Sequence, residues 1–265
     1  MTNPDALDTG ENSETPPQTC SKRAIVTGSA SGIGAATVLA LARLGYDTVG
    51  IDIQLAQAQE VASAAHAIAG RHSALCADVA DEAALCAAMA SACHSLGGLD
   101  ALVTCAGEAS TTPFMELTAT EFRRLNDVNV IGTFVAIREA AKVMQPGSRI
   151  CTVASVAGLR GGGLMGTAAY AASKGAVLAL TKNAARSLAS QGISVNTIAP
   201  GATLTPMIET AWQDPVQRAR VESMNLQART ASAAEIAASI AYLLSAQASY
   251  VNGATLVVDG GLALY

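Results

Sequence analysis

Short apolar runs alternate along this chain with longer stretches in which apolar residues recur at helical spacing. Residues 1–20, "MTNPDALDTGENSETPPQTC", stand outside the rhythm. They are polar and acidic with three prolines, so a disordered extension is expected over about 1–21 and a folded domain over 22–265. Strands are expected at 23–28, 47–52, 72–79, 99–107, 148–155, 192–201 and 254–261. Helices are expected at 32–45, 54–70 and 81–98, the last with Asp81 as N-cap, and at about 120–144, 168–190 and 232–245.

The strands read as continuous apolar runs rather than alternating ones. That pattern predicts a parallel sheet buried on both faces by the intervening helices. With right-handed crossovers the expected fold is α/β: one Rossmann-type, doubly wound domain around a seven-stranded parallel sheet. Neither an internal repeat nor a second domain is needed for 265 residues.

Composition narrows the function. Hydrophobic residues make up 51% and aromatics 3%, which suits closely packed Ala-rich helices on β-branched strands. The net charge is -5 and no Lys/Arg cluster is present, which argues against a nucleic-acid partner. Apolar stretches break well before the ~20 residues a membrane span needs, and no secretory signal is evident. The six cysteines form no CxxC pair and have no histidine at ligand spacing. Reduced thiols in a cytoplasmic protein are therefore expected, and no metal site. Cys86 and Cys93, seven apart, should share a core-facing helix side.

Candidate chemistry begins at "TGSASGIG", residues 27–34, between the first strand and first helix. Gly28 permits a sharp turn, while Gly32 and Gly34 let backbone approach a pyrophosphate at a helix N-terminus. Asp52 closes the second strand, where a carboxylate accepts hydrogen bonds from ribose hydroxyls and repels a 2′-phosphate. No Lys or Arg occurs at 29–31 or 53–59, so NAD is favoured over NADP. Asp78-Val79 falls where an adenine edge would rest. Tyr170 and Lys174 stand four apart, on one helix face. An ammonium there should lower the phenol's pKa and suit it to proton transfer. Ser155 ends a strand and can hold the reacting oxygen. Asn129 can hold, by its amide, a water linking Lys174 to solvent.

Taken in order, these motifs resemble the short-chain dehydrogenase/reductase family over essentially all of 22–265. The matches are "TGSASGIG", Asp52, Asp78-Val79, "CAG" at 105–107, Asn129 in "VNVIG", Ser155 in "VASVAG", "YAASK" at 170–174, "NTIAPGATLTPM" at 196–207 and the closing "LVVDGG". The resemblance implies a catalytic tetrad of Asn129, Ser155, Tyr170 and Lys174. It implies cofactor contacts from Gly28, Ser31, Gly32, Ile33, Gly34, Asp52, Ile53, Asp78, Val79, Cys105, Ala106, Gly107, Tyr170, Lys174, Pro200, Gly201, Thr203 and Thr205. It also implies a homotetramer packed through the helices at 120–144 and 168–190.

Two departures stand out. Thr104 and Cys105 replace the family's usual asparagine pair, and Ser155 and Tyr170 are 15 apart rather than the commoner 13 (170 − 155). The segment at about 203–228 corresponds to a substrate lid. Glu108, Leu164, Met165, Met207, Ile208 and Trp212 are the candidate pocket residues, with Met224 a further apolar lid member. Arg160, Arg218 and Arg220 are candidates for an anionic substrate, against solvated surface charge. The expected activity is NAD-dependent hydride transfer between nicotinamide and a small or medium secondary alcohol or ketone. Alternatives are a dehydrogenase of a sugar, cyclic diol or steroid, a 3-oxoacyl thioester reductase, or a non-catalytic NAD(H)-binding sensor or scaffold.

Overall fold

The computed structural model describes residues 21–162 and 167–264. In chain order the first half runs β1 (Lys22–Thr27), α1 (Gly32–Arg43), β2 (Tyr46–Asp52), α2 (Leu55–His66), β3 (His72–Cys76), α3 (Glu82–Leu96) and β4 (Ala101–Thr104). Then come α4 (Ala119–Asn126), a π turn (Asp127–Ile131), α5 (Gly132–Ala141), β5 (Arg149–Val153), α6 (Val156–Arg160), α7 (Ala168–Leu188) and β6 (Ser194–Pro200). The chain closes with β7 (Thr203–Leu204), α8 (Pro206–Trp212), α9 (Pro215–Ser223), β8 (Ala231–Ser232), α10 (Ala233–Leu244) and β9 (Thr255–Val258).

The main sheet has seven strands in the order β3-β2-β1-β4-β5-β6-β9, every pair parallel. Both faces are covered, which explains the continuous apolar runs. In β1, Ile25 enters the core beneath α3 and α5, while Ala24 and Val26 enter the opposite core beneath α1 and α10. In the inner strands nearly every residue is buried on one side or the other, so no polar alternation survives there, while the edge strands β3 and β9 are only half-buried.

Local signals set the helix ends. Asp81 accepts from the Ala84 N–H as expected of an N-cap, and Gly97 at φ +71 ends α3. Ser232 and Glu235 form a reciprocal capping box at α10. The expected helix at 120–144 is instead two helices joined by the π turn, which holds Asn129. Cys86 and Cys93 are half-buried at the edge of the first core rather than within it.

Several expected strands are longer than observed. Asp78-Val79, Cys105–Gly107 and Ser155 lie just past the carboxyl ends of β3, β4 and β5. That is the rim where loops are free to meet a ligand. Strand order reverses between β1 and β4, where Thr27 pairs with Thr104. In an open α/β sheet the crevice above such a switch point is the binding site.

Candidate active site

A cavity of about 800 Å³ opens above that switch point. Its β1 side is built by the glycine turn. Gly28 adopts φ +68, and a Cβ there would stand 2.5 Å from the Ala106 backbone nitrogen. A Cβ on Gly34 would overlap the Gly28 carbonyl oxygen. The turn is therefore as tight as backbone allows. Ser31 is the N-cap of α1 in extended conformation, yet its side chain makes no capping bond, which leaves the first-turn N–H groups to an anion.

Asp52 is held by two backbone donors. Its Oδ2 accepts from the Ala30 N–H at 2.9 Å and its Oδ1 from the Gln54 N–H at 2.9 Å. The carboxylate is thereby fixed on the cavity wall, with further lone pairs for ribose hydroxyls. Ile53, Asp78 and Val79 line the same side, and Asp78 also closes a turn onto the Ala80 N–H. Cys105, Ala106 and Gly107 form part of the floor; Pro200 at the end of β6, with Gly201, Thr203 and Thr205 after it, forms part of the wall. These residues fit a dinucleotide: a glycine cradle, open amides and a preset carboxylate stand on one continuous wall.

Ser155, Tyr170 and Lys174 come together on the β5 side. Ser155 is the N-cap of α6, its Oγ accepting from the Ala157 N–H at 3.1 Å. Lys174 is 4% exposed, and its Nζ donates to the Val153 carbonyl at 2.9 Å. The ammonium lies 5.8 Å from the centre of the Tyr170 ring. Burial pushes Lys174 down to about 8. The expected lowering of Tyr170 is not found. Burial raises the phenol above its ordinary 10, and the hydrogen bond with Ser155 offsets this only in part.

Asn129 sits behind the wall, fully buried. Its Oδ1 accepts from the Glu108 N–H at 2.8 Å, and its Nδ2 donates to the Glu108 carbonyl and to Ser173 Oγ, each at 2.9 Å. Both N–H donors are already committed to protein partners, so the water expected on this amide would be held through Oδ1. Only the second lone pair of Oδ1 remains. It faces the gap left by Gly107, where a Cβ would stand 3.1 Å from Asn129 Oδ1 and 3.3 Å from Lys174 Nζ. Ser173, missed from sequence, is fully buried and passes the network on by donating to the Tyr170 carbonyl.

Glu108 reaches the cavity as expected, but paired with Arg124 at 3.0 Å, a partner the sequence did not flag. Met207, Ile208, Trp212 and Met224 line the lid side. The segment expected to form a lid folds as α8 and α9, tied at both ends by the pairing of β7 with β8. Arg160 lines the cavity, whereas Arg218 packs over Trp212 and bonds Glu222. Leu164 and Met165 lie outside the described residues. The thiol of Cys105 is pushed up to about 12 by burial, so it is inert at neutral pH. The Thr104 hydroxyl is buried with no partner among the described residues, so it does not replace the bonds an asparagine would make.

Residues 28–263 match the family model described as Enoyl-(Acyl carrier protein) reductase. Levodione reductase of Leifsonia aquatica is 35% identical, over 89% of this chain and 92% of that one. D-threitol dehydrogenase of Mycolicibacterium smegmatis is 36% identical, over 91% and 92%. A short-chain dehydrogenase from Burkholderia cenocepacia J2315, solved in complex with NADP, superposes with a TM-score of 0.84 at 33% identity, covering 91% of this chain and 97% of that one. Fold, cavity and likeness define an oxidoreductase of alcohols and ketones that works with a nicotinamide cofactor. The chain belongs to the short-chain dehydrogenase/reductase family. No helix among the described residues is long and apolar enough to cross a membrane.

Proposed function

We propose that this protein is an NAD-dependent oxidoreductase interconverting a secondary alcohol and its ketone, with Tyr170 as the proton-transfer residue. One observation carries the reading. A phenol, a hydroxyl and a buried ammonium share a cavity whose far wall presents a preset carboxylate. Asp52 supports NAD because its charge opposes a 2′-phosphate and no cation stands at 29–31 or 53–59 to offset it.

When bound, the nicotinamide supplies the hydride site and, oxidised, a second positive charge beside the phenol. Tyr170 gives its proton to the carbonyl oxygen in reduction and takes the hydroxyl proton in oxidation. Its raised pKa keeps the phenol protonated in the free protein, ready for the reductive direction. Ser155 holds the reacting oxygen. Lys174 spends one N–H on the Val153 carbonyl and keeps two for the phenol's side of the cavity and a ribose. Asn129 braces the Glu108 backbone and, through Ser173, the first turn of α7. The Gly107 gap between Asn129 Oδ1 and Lys174 Nζ is the route for a relayed proton.

The outer face of α4, the π turn and α5 supports assembly into an oligomer: Phe122, Ile131 and Phe134 there are each about 40% exposed. Such an apolar face suits a homotetramer interface. The functional reading is tested with Tyr170→Phe. Turnover of a secondary alcohol should fall by about 10²–10⁴ while NADH affinity stays within a few-fold. Equal loss of both would assign Tyr170 to binding; undiminished turnover would remove it from the chemistry.

A further inference from the structure

The substrate half of the cavity carries an imbalance of charge. Glu108 and Arg124 neutralise each other across 3.0 Å. Arg160 has no carboxylate partner among the described residues; its one hydrogen bond there is from Nη1 to the Leu262 carbonyl at 3.3 Å. The other cavity-lining acids, Asp52 and Asp78, stand on the β2–β3 side. By contrast Arg23, Arg71, Arg138, Arg218 and Arg229 all hold carboxylates elsewhere.

Arg160 is also placed with precision. It ends α6, whose N-cap is Ser155. A Cβ on Gly158 would stand 2.6 Å from the Gly175 nitrogen and the Lys174 carbonyl carbon, so α6 lies backbone to backbone on α7. Arg160, Ser155, Tyr170 and Lys174 therefore belong to one rigid pair of helices. Five residues of helix rise about 7.5 Å, which sets Arg160 several bonds from an oxygen held at Ser155. Arg160 is exposed to solvent, and Met207, Ile208 and Trp212 of the lid line the same cavity as apolar members. A guanidinium keeps its charge at any working pH and presents a fork matched to a carboxylate.

We propose that Arg160 recognises a carboxylate on the substrate, carried at the end remote from the reacting hydroxyl or ketone. The inference rests on the oxidoreductase reading above and names the substrate class for that same site: hydroxy or keto acids whose two functions lie several carbons apart.

The test compares 5-hydroxyhexanoate with its neutral methyl ester, using wild type, Arg160→Gln, Arg160→Lys and Arg220→Gln. Glutamine keeps an N–H for the Leu262 carbonyl but loses the charge. Expected is a wild-type preference for the acid, and a loss of about tenfold or more in the acid-to-ester ratio of kcat/KM in Arg160→Gln, carried by KM. Arg160→Lys should fall between, since it keeps charge without the fork. Arg220→Gln, outside the cavity lining, should leave the ratio unchanged. Quenching of the single tryptophan, Trp212, by the acid in the presence of NAD gives a binding readout independent of turnover, and its Kd should rise in parallel. If the ester is turned over while the ratio and Kd are the same in wild type and both Arg160 variants, the assignment is overturned and the oxidoreductase reading stands. If no alcohol or ketone is turned over with either cofactor, that reading fails and takes this inference with it. Should Arg160→Gln not fold, the Arg160→Lys ratio decides alone.

Discussion

Replacing Lys174 by methionine keeps the length of the side chain and removes its buried charge. In the folded protein the ammonium titrates at about 8; unfolded, at its ordinary 10.5. Between those values the unfolded chain binds more protons than the folded one, so stability rises with pH. The sign follows from a depressed folded pKa: the contribution is complete above 10.5 and is lost as pH falls through 8. At about 1.4 kcal/mol per unit, the charged lysine costs roughly 3 kcal/mol at about pH 7 and roughly 1.5 kcal/mol at about pH 9.5. Losing the bond to the Val153 carbonyl affects the variant equally at both values, so it cancels in the difference. Cofactor-free wild type should therefore gain about 2 kcal/mol relative to Lys174→Met between the two conditions. Urea denaturation followed by far-ultraviolet circular dichroism, at fixed protein concentration, measures it. Parallel behaviour of the two proteins would refute the reasoning. Lys174 would then not be a desolvated cation, and its charge would not be held against the phenol at a cost in stability.

Gly34→Ala drives a methyl group into the Gly28 carbonyl, so the glycine turn must open; NADH affinity, read by fluorescence titration, should fall by about tenfold or more. Asn129→Leu strands the Glu108 N–H and carbonyl and one bond of Ser173, and the urea midpoint should report a loss of about 2–4 kcal/mol. Asp52→Asn removes the charge that opposes a 2′-phosphate; initial rates with both cofactors should show the NADP-to-NAD ratio of kcat/KM rising by about tenfold.

Much of this was readable in the chain because burial on both faces writes each strand as an unbroken apolar run. The run at 23–28 is Ile25 facing one core while Ala24 and Val26 face the other. The switch point, the glycine turn and Asp52 follow from strand order and from residues adjacent to strand ends. What stayed hidden depends on three-dimensional packing. The π turn at Asp127–Ile131 has no marker in the sequence, since apolar spacing alone cannot show one helix bonded i to i+5 at its middle. Asn129 reads as a polar residue available to water, yet its amide replaces backbone partners for Glu108. The spacing of Tyr170 and Lys174 correctly placed the pair but not the sign of the phenol's shift, because burial raises it and the hydrogen bond with Ser155 offsets that only in part. The five-residue α6, too short for a periodic signal, is what carries Arg160 into the cavity.

The most direct measurement is a crystal structure of the protein with NADH and a ketone substrate analogue. The analogue's oxygen should lie within hydrogen-bonding distance of both Tyr170 Oη and Ser155 Oγ, its carbonyl carbon against nicotinamide C4, and the ribose hydroxyls on Asp52. A ketone oxygen bound away from Tyr170, with the nicotinamide C4 out of reach of any carbon near that phenol, would contradict the assignment of proton and hydride transfer to this cavity.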